Sequence, residues 1–212
     1  MNRRTETIAL SLLTLALAAC GGGGAGPSTG SPSALADNSL SRALSGPPAL
    51  PVAQTGLSGN VTCRNISIGA EALDSVFVPA DSACVLEGTR LIGSITVARG
   101  ATLEARAVRV NGNVQADGAA HVSISELSTV GGAVQVKQGG HVRVEGARLT
   151  GDLQIDDMRG PVFALGNTVG GNIQVVGNRG GATVGGNRVN GNLLCKENVP
   201  APRAFDNTAA LL

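Results

Sequence analysis

The chain has 212 residues, enough for one compact domain once an export segment and a linker are set aside. Glycine supplies 31 of them, Phe only 3, and Trp and Tyr are absent, which excludes an ordinary aromatic core and leaves Val, Ile, Leu and Ala to fill the interior. With 16 Lys plus Arg against 15 Asp plus Glu, and no Trp or Tyr on which bases would stack, nucleic acid is excluded as a partner class.

Arg3 and Arg4 form a positive n-region, and residues 8–19 form an apolar run too short to cross about 30 Å of hydrocarbon as a helix. This is the pattern of an export signal. It closes on Leu17-Ala18-Ala19-Cys20, which resembles a bacterial lipobox. The resemblance implies cleavage before Cys20, lipidation of its thiol and, with Gly21 in place of Asp after it, an outer-membrane destination in the cell envelope. Residues 1–19 are therefore expected to be a lipoprotein signal peptide, and the membrane a partner through the lipid.

Residues 20–56 then carry the lipidated cysteine and a Gly/Ser/Pro/Ala-rich stretch that buries too little apolar surface to order itself. As a flexible tether it would span about 30–35 Å, enough to lift a domain clear of lipid headgroups.

The repeat begins beyond the tether. Aligned on an opening glycine, coils start at Gly93, Gly112, Gly132, Gly151, Gly171 and Gly191, spaced 19, 20, 19, 20 and 20 residues apart, with a glycine-free copy from Asp74 and a shorter one from Gly59. Two residues past each start runs an aliphatic column of Val76, Ile95, Val114, Val134, Leu153, Ile173 and Leu193. Four past it runs a second, of Val78, Val97, Ala116, Val136, Ile155, Val175 and Cys195. A separation of two between the columns is the period of a strand with both facing inward, so Thr96, Gln115, Gln135, Gln154 and Gln174 between them face out. Two further short alternating stretches per coil, such as His121-Val122-Ser123-Ile124 and Thr168-Val169, complete a three-strand coil. The class expected is all-β, a parallel β-helix or solenoid of six to seven coils of 19–20 residues over residues 57–196. The leucine-rich repeat and the calcium-binding nonapeptide lack their required residues here, and coils longer than eighteen favour the looser right-handed helix. Residues 197–212 carry Pro200 and Pro202 and are expected to leave the ladder as a C-terminal cap or tail.

These Gly-x-aliphatic-x-aliphatic coils resemble those of bactofilin-like polymer-forming β-helices, and the ending VNGNLLCKENVPAP is similar to that of exported bacterial β-helix proteins. The likeness covers roughly residues 74–202. It implies a scaffold with possible self-association through the coil ends, and it carries no catalytic residue across. Bactofilins work on the cytoplasmic side, so the export signal is a departure from that pattern.

Among chemically capable residues, Asp117, Lys137 and Asp156 share one offset on three successive coils. Carboxylates two rungs apart would sit about 9–10 Å from each other, near the limit for an inverting glycosidase pair, but the lysine between them favours a charge-alternating ladder. His121 and His141 should stack with no third ligand beside them, so neither a metal site nor a cofactor is expected. Cys63 and Cys84 are candidates for a disulfide closing a loop of about 20 residues, worth about 3 kcal/mol in the chain-entropy model. Cys195 sits in an inward column as a small core residue. Finally, Arg90, Arg109, Thr129, Arg148, Thr168 and Arg188 form a column in which arginine largely alternates with threonine. Such a row of guanidinium groups would bind anions.

The expectation is a lipid-anchored, non-catalytic envelope protein acting as a structural or interaction scaffold. The alternative is a binding module for anionic glycan or lipopolysaccharide through Arg90, Arg109, Arg148 and Arg188. A polysaccharide lyase or hydrolase is a remote third.

Overall fold

A computed structural model describes residues 53–210, and over them the chain is an all-β parallel solenoid of about seven turns. Each turn adds one short strand to each of three sheets, which hold eight, nine and seven strands. The coil opened by Gly112 shows the pattern: Val114–Asp117 enters the first sheet, His121–Ser125 the second and Thr129–Val130 the third. Named for their outward residues, these are the amide face, the histidine face and the arginine face. At about 4.8 Å per rung, the turns stack into a rod on the order of 35 Å long.

Alternation within the strands decides what fills the rod. On the amide face Ile95, Val114, Val134, Leu153, Ile173 and Leu193 follow one another and are at most 2% exposed. Leu103, Val122, Val142 and Val162 do the same on the histidine face. Each such side chain contributes about 1.5–3 kcal/mol through burial, and parallel stacking repeats that contribution on every turn. Together these side chains make one continuous aliphatic core.

The recurring glycine at the start of each coil has a steric cause. Gly112, Gly132, Gly151, Gly171 and Gly191 do not have positive φ. A Cβ on Gly151 would instead lie 2.8 Å from the carbonyl of Gly132 on the turn before. At this corner backbone stacks directly on backbone, and a side chain would force the turns apart.

The other two corners bend through one or two left-handed residues. Gly118, Gln138, Asp157, Gly177 and Glu197 serve between the amide and histidine faces. Gly88, Ala107, Gly146, Gly166 and Gly186 serve between the histidine and arginine faces, where Leu127 also has φ 60°. Alanine and leucine in this region cost about 1–2 kcal/mol each, which glycine avoids.

Corner amides in the C-terminal turns are satisfied by stacked asparagines. The Oδ1 atoms of Asn167, Asn187 and Asn207 accept from the backbone N–H of Ala147, Asn167 and Asn187 at 3.0, 2.9 and 3.1 Å. Their Nδ2 groups donate to the carbonyls of Val144, Ala164 and Val184. Asn178 and Asn198 repeat the arrangement at the neighbouring corner, accepting from Met158 and Asn178. Asn113, Asp152 and Asn172 accept from the turns adjoining them at the third corner.

Two expected boundaries move. The ladder starts at Ala53–Gln54, which pairs with the strand Ile66–Ile68, so order begins before residue 57. Nor does the chain leave the ladder after 196: Arg203–Phe205 lies alongside Ala182–Gly185, and Thr208 bridges to Arg188. Pro200 and Pro202 fall between strands, where no ladder N–H is required of them, while the N–H of Val199 still reaches the carbonyl of Asn178 at 2.8 Å. The expected signal peptide, Cys20 and most of the expected tether lie outside the described residues.

Candidate functional site

The arginine face is built from two-residue strands, so each turn presents one outward side chain between one buried aliphatic residue and the corner. Its register places Ala72, Arg90, Arg109, Thr129, Arg148, Thr168, Arg188 and Thr208 in a single column along the rod. The inward partners Leu91, Val110, Val130, Leu149, Val169 and Val189 are at most 6% exposed and lock the backbone beneath. Arg90, Arg109, Arg148 and Arg188 are all exposed. None of the four forms an ion pair with a described residue.

Arginines on the histidine face behave differently. Arg106 meets Glu104 at 2.8 Å, and Arg143 meets Glu145 at 2.6 Å while lying 4.9 Å above the ring of Phe163. Those guanidinium groups are committed within their own sheet. The contrast leaves the arginine face with a row of cations whose donors are directed to solvent.

His121 and His141 do sit on adjacent rungs, with ring centroids 5.0 Å apart in an edge-on arrangement, and His141 is followed by Phe163 at 5.7 Å. Burial holds the His121 imidazole below its ordinary range; His141 and Arg143 push the same way and Glu104 opposes them. The neutral ring is the favoured form. Among the described residues no group of three or more His, Cys, Asp or Glu is arranged to hold a metal ion.

Asp117, Lys137 and Asp156 are register neighbours on the amide face. Lys137 Nζ stands 4.0 Å from Asp156 Oδ2, and burial raises the Asp156 carboxyl above its ordinary range while Lys137 acts to lower it. The lysine therefore lies between the two carboxylates in the register. Beside them Gln135 Nε2 donates to Gln154 Oε1 at 3.1 Å, one link of the amide ladder.

Cys63 and Cys84 are joined by a disulfide with their Cα atoms 5.6 Å apart, and both are fully buried. The bridge connects the first amide-to-histidine corner to the next turn of the histidine face. The proposed lipid site, Cys20, is outside the described residues. Cys195 is 7% exposed and forms part of the core.

Sequence reasoning missed two features. One is the set of asparagine ladders, for which the sequence carries a signal: Asn167, Asn187 and Asn207 recur every 20 residues. The other is a groove of about 270 Å³ at the amide-to-histidine corner, floored by Gly118, Gly139 and Gly140 and flanked by Arg99 and Arg159. Those two arginines occupy different offsets in their coils, so no column links them in the sequence. No family model, curated protein or solved structure matches the chain, and its functional reading rests on its own residues.

Proposed function

We propose that this protein is a lipid-anchored, non-catalytic module of the bacterial envelope that acts as an interaction scaffold. The observation that carries the reading is the division of labour across the strands: an unbroken aliphatic interior supports straight outward ladders of amide, aromatic and cationic side chains. Repeating flat faces of this kind suit contact with another extended or repeating body. The address comes from the sequence, in Arg3, Arg4, the apolar run at 8–19 and the lipobox-like Leu17-Ala18-Ala19-Cys20. Likeness to bactofilin-like coils favours the same role, and among the described residues Leu193–Lys196 and Arg203–Phe205 end their sheets with a neighbour on one side only.

Light scattering across a concentration series, on the chain beginning at Gly21, tests the scaffold. Mass that grows with concentration is expected if coil ends join. A constant monomer mass would remove self-association and leave a single anchored rod. Separately, Cys20→Ser should move the protein from the membrane to the soluble fraction; retention in the membrane would overturn the anchor.

A further inference from the structure

The arginine column has a companion. Two residues beyond it on successive turns stand Asn111, Gly131, Thr150, Gly170 and Asn190, all exposed. Their backbone N–H groups donate to the carbonyls of Leu91, Val110, Val130, Leu149 and Val169, which places them in register along the rod. The two columns alternate together. Arg109 is followed by Asn111, Arg148 by Thr150 and Arg188 by Asn190, whereas Thr129 is followed by Gly131 and Thr168 by Gly170.

From Arg109 to Arg188 every second turn thus offers a guanidinium and a neutral hydrogen-bonding side chain, and every intervening turn a hydroxyl beside a bare glycine; the turn before Arg109 departs from this, with Arg90 and the exposed Ile92. The repeat is two rungs, about 9.6 Å. Such a pattern is unnecessary for solubility alone, which would be served by cations at any spacing. Acidic residues flank these columns along the chain at Glu126, three residues before Thr129, at Glu145, which is held by Arg143, and at Asp152, two residues past Thr150 and bonded to Asn172.

We propose that the arginine face binds an extended acidic polysaccharide carrying one carboxylate per disaccharide, laid along the rod axis. This rests on charge complementarity and register and goes beyond the scaffold reading, which would survive its loss. In an extended glycan each sugar advances the chain by close to one rung, so a charge on alternate sugars meets Arg109, Arg148 and Arg188 in turn. The uncharged sugar between them lies over Thr129–Gly131 or Thr168–Gly170, where the missing side chain leaves room for a ring. Asn111, Thr150 and Asn190 supply polar contacts beside each carboxylate. Phosphate groups of a lipid headgroup are clustered instead of periodic and would engage one or two arginines only.

The test uses the mature protein as it is extracted from membranes in neutral detergent, titrated with hyaluronan, which has one carboxylate per disaccharide, and with polygalacturonate, which has one per sugar. Replacing Arg109, Arg148 and Arg188 together by Gln should weaken hyaluronan binding by about tenfold and flatten its salt dependence. Unchanged affinity overturns the site. Adding cations on the intervening turns, with Thr129→Arg and Thr168→Arg, should strengthen binding of polygalacturonate about tenfold and of hyaluronan by less than about threefold. An equal gain on both polymers overturns the register. Circular dichroism and the melting temperature of each variant separate these outcomes from misfolding, and tighter binding of anionic vesicles than of either polymer would assign the face to lipid.

Discussion

The N-terminal end of the rod is closed covalently by Cys63 and Cys84, whereas the C-terminal turns are tied by stacked Asn167, Asn187 and Asn207 at one corner and Asn178 and Asn198 at another. Between them lie turns with neither the disulfide nor an asparagine at these two corners, where Ala119, Gly139 and Met158 or Val108, Ser128 and Ala147 occupy the same positions and the Ser128 hydroxyl accepts from the N–H of Val108 at 3.2 Å. The same coil geometry is therefore held in different ways along one chain. The short first turn, in which Asn60 already pairs with Ser75, has less surface to bury, and a disulfide restricts its unfolded state instead. At two corners of the C-terminal turns, a side-chain amide instead satisfies a backbone donor and acceptor that would otherwise be buried without partners.

The largest test of the comparison is Asn187→Ala. It strands the buried N–H of Asn167, takes the Nδ2 donor from the carbonyl of Ala164 and leaves the Nδ2 of Asn167 with the Val144 carbonyl alone, for an expected loss of about 4 kcal/mol by chemical denaturation. A loss under about 1 kcal/mol would mean water replaces the ladder. Next, Cys63→Ser with Cys84→Ser should cost about 3 kcal/mol, while leaving amide exchange in the turns beyond Gly151 protected. If protection fell equally at both ends, the rod would be a single cooperative unit and the two-device account would fail.

Smaller in effect, Ala107→Gly should stabilise by about 1 kcal/mol, because Ala107 holds φ 51° at a corner where Gly146, Gly166 and Gly186 serve later turns. No gain in melting temperature would show that the strain is relieved by its surroundings. The smallest effect belongs to the middle turns and to pH. His121 has a folded pKa depressed by burial, so its contribution is fully present above its ordinary 6.5 and is lost as pH falls through the lower folded value. Stability should decline on acidification below 6.5, and His121→Gln should lack that component; an identical decline in the variant would place the proton uptake elsewhere.

Much of the architecture could be read before any coordinates. The columns beginning Val76 and Val78, and the outward glutamines between them, lie in register as their spacing of two requires. The C-terminal boundary was not legible, since Pro200 and Pro202 signal a break wherever they occur and only the fold shows them between strands. The left-handed positions were legible where glycine marks them and hidden where Ala107, Gln138 or Glu197 takes the same conformation.

The sequence by itself determined the solenoid, because a period of two inside a period of about twenty admits few other ways to bury one face of every strand. It also determined that Arg109, Arg148 and Arg188 would share a column. Only the tertiary structure decided which arginines are committed to neighbours, as Arg106 and Arg143 are, and which of the asparagines are buried. Column membership depends on chain spacing, which the sequence carries. Ion pairing and burial depend on what the adjoining faces place within a few ångströms, and that is settled when the three sheets close around one core.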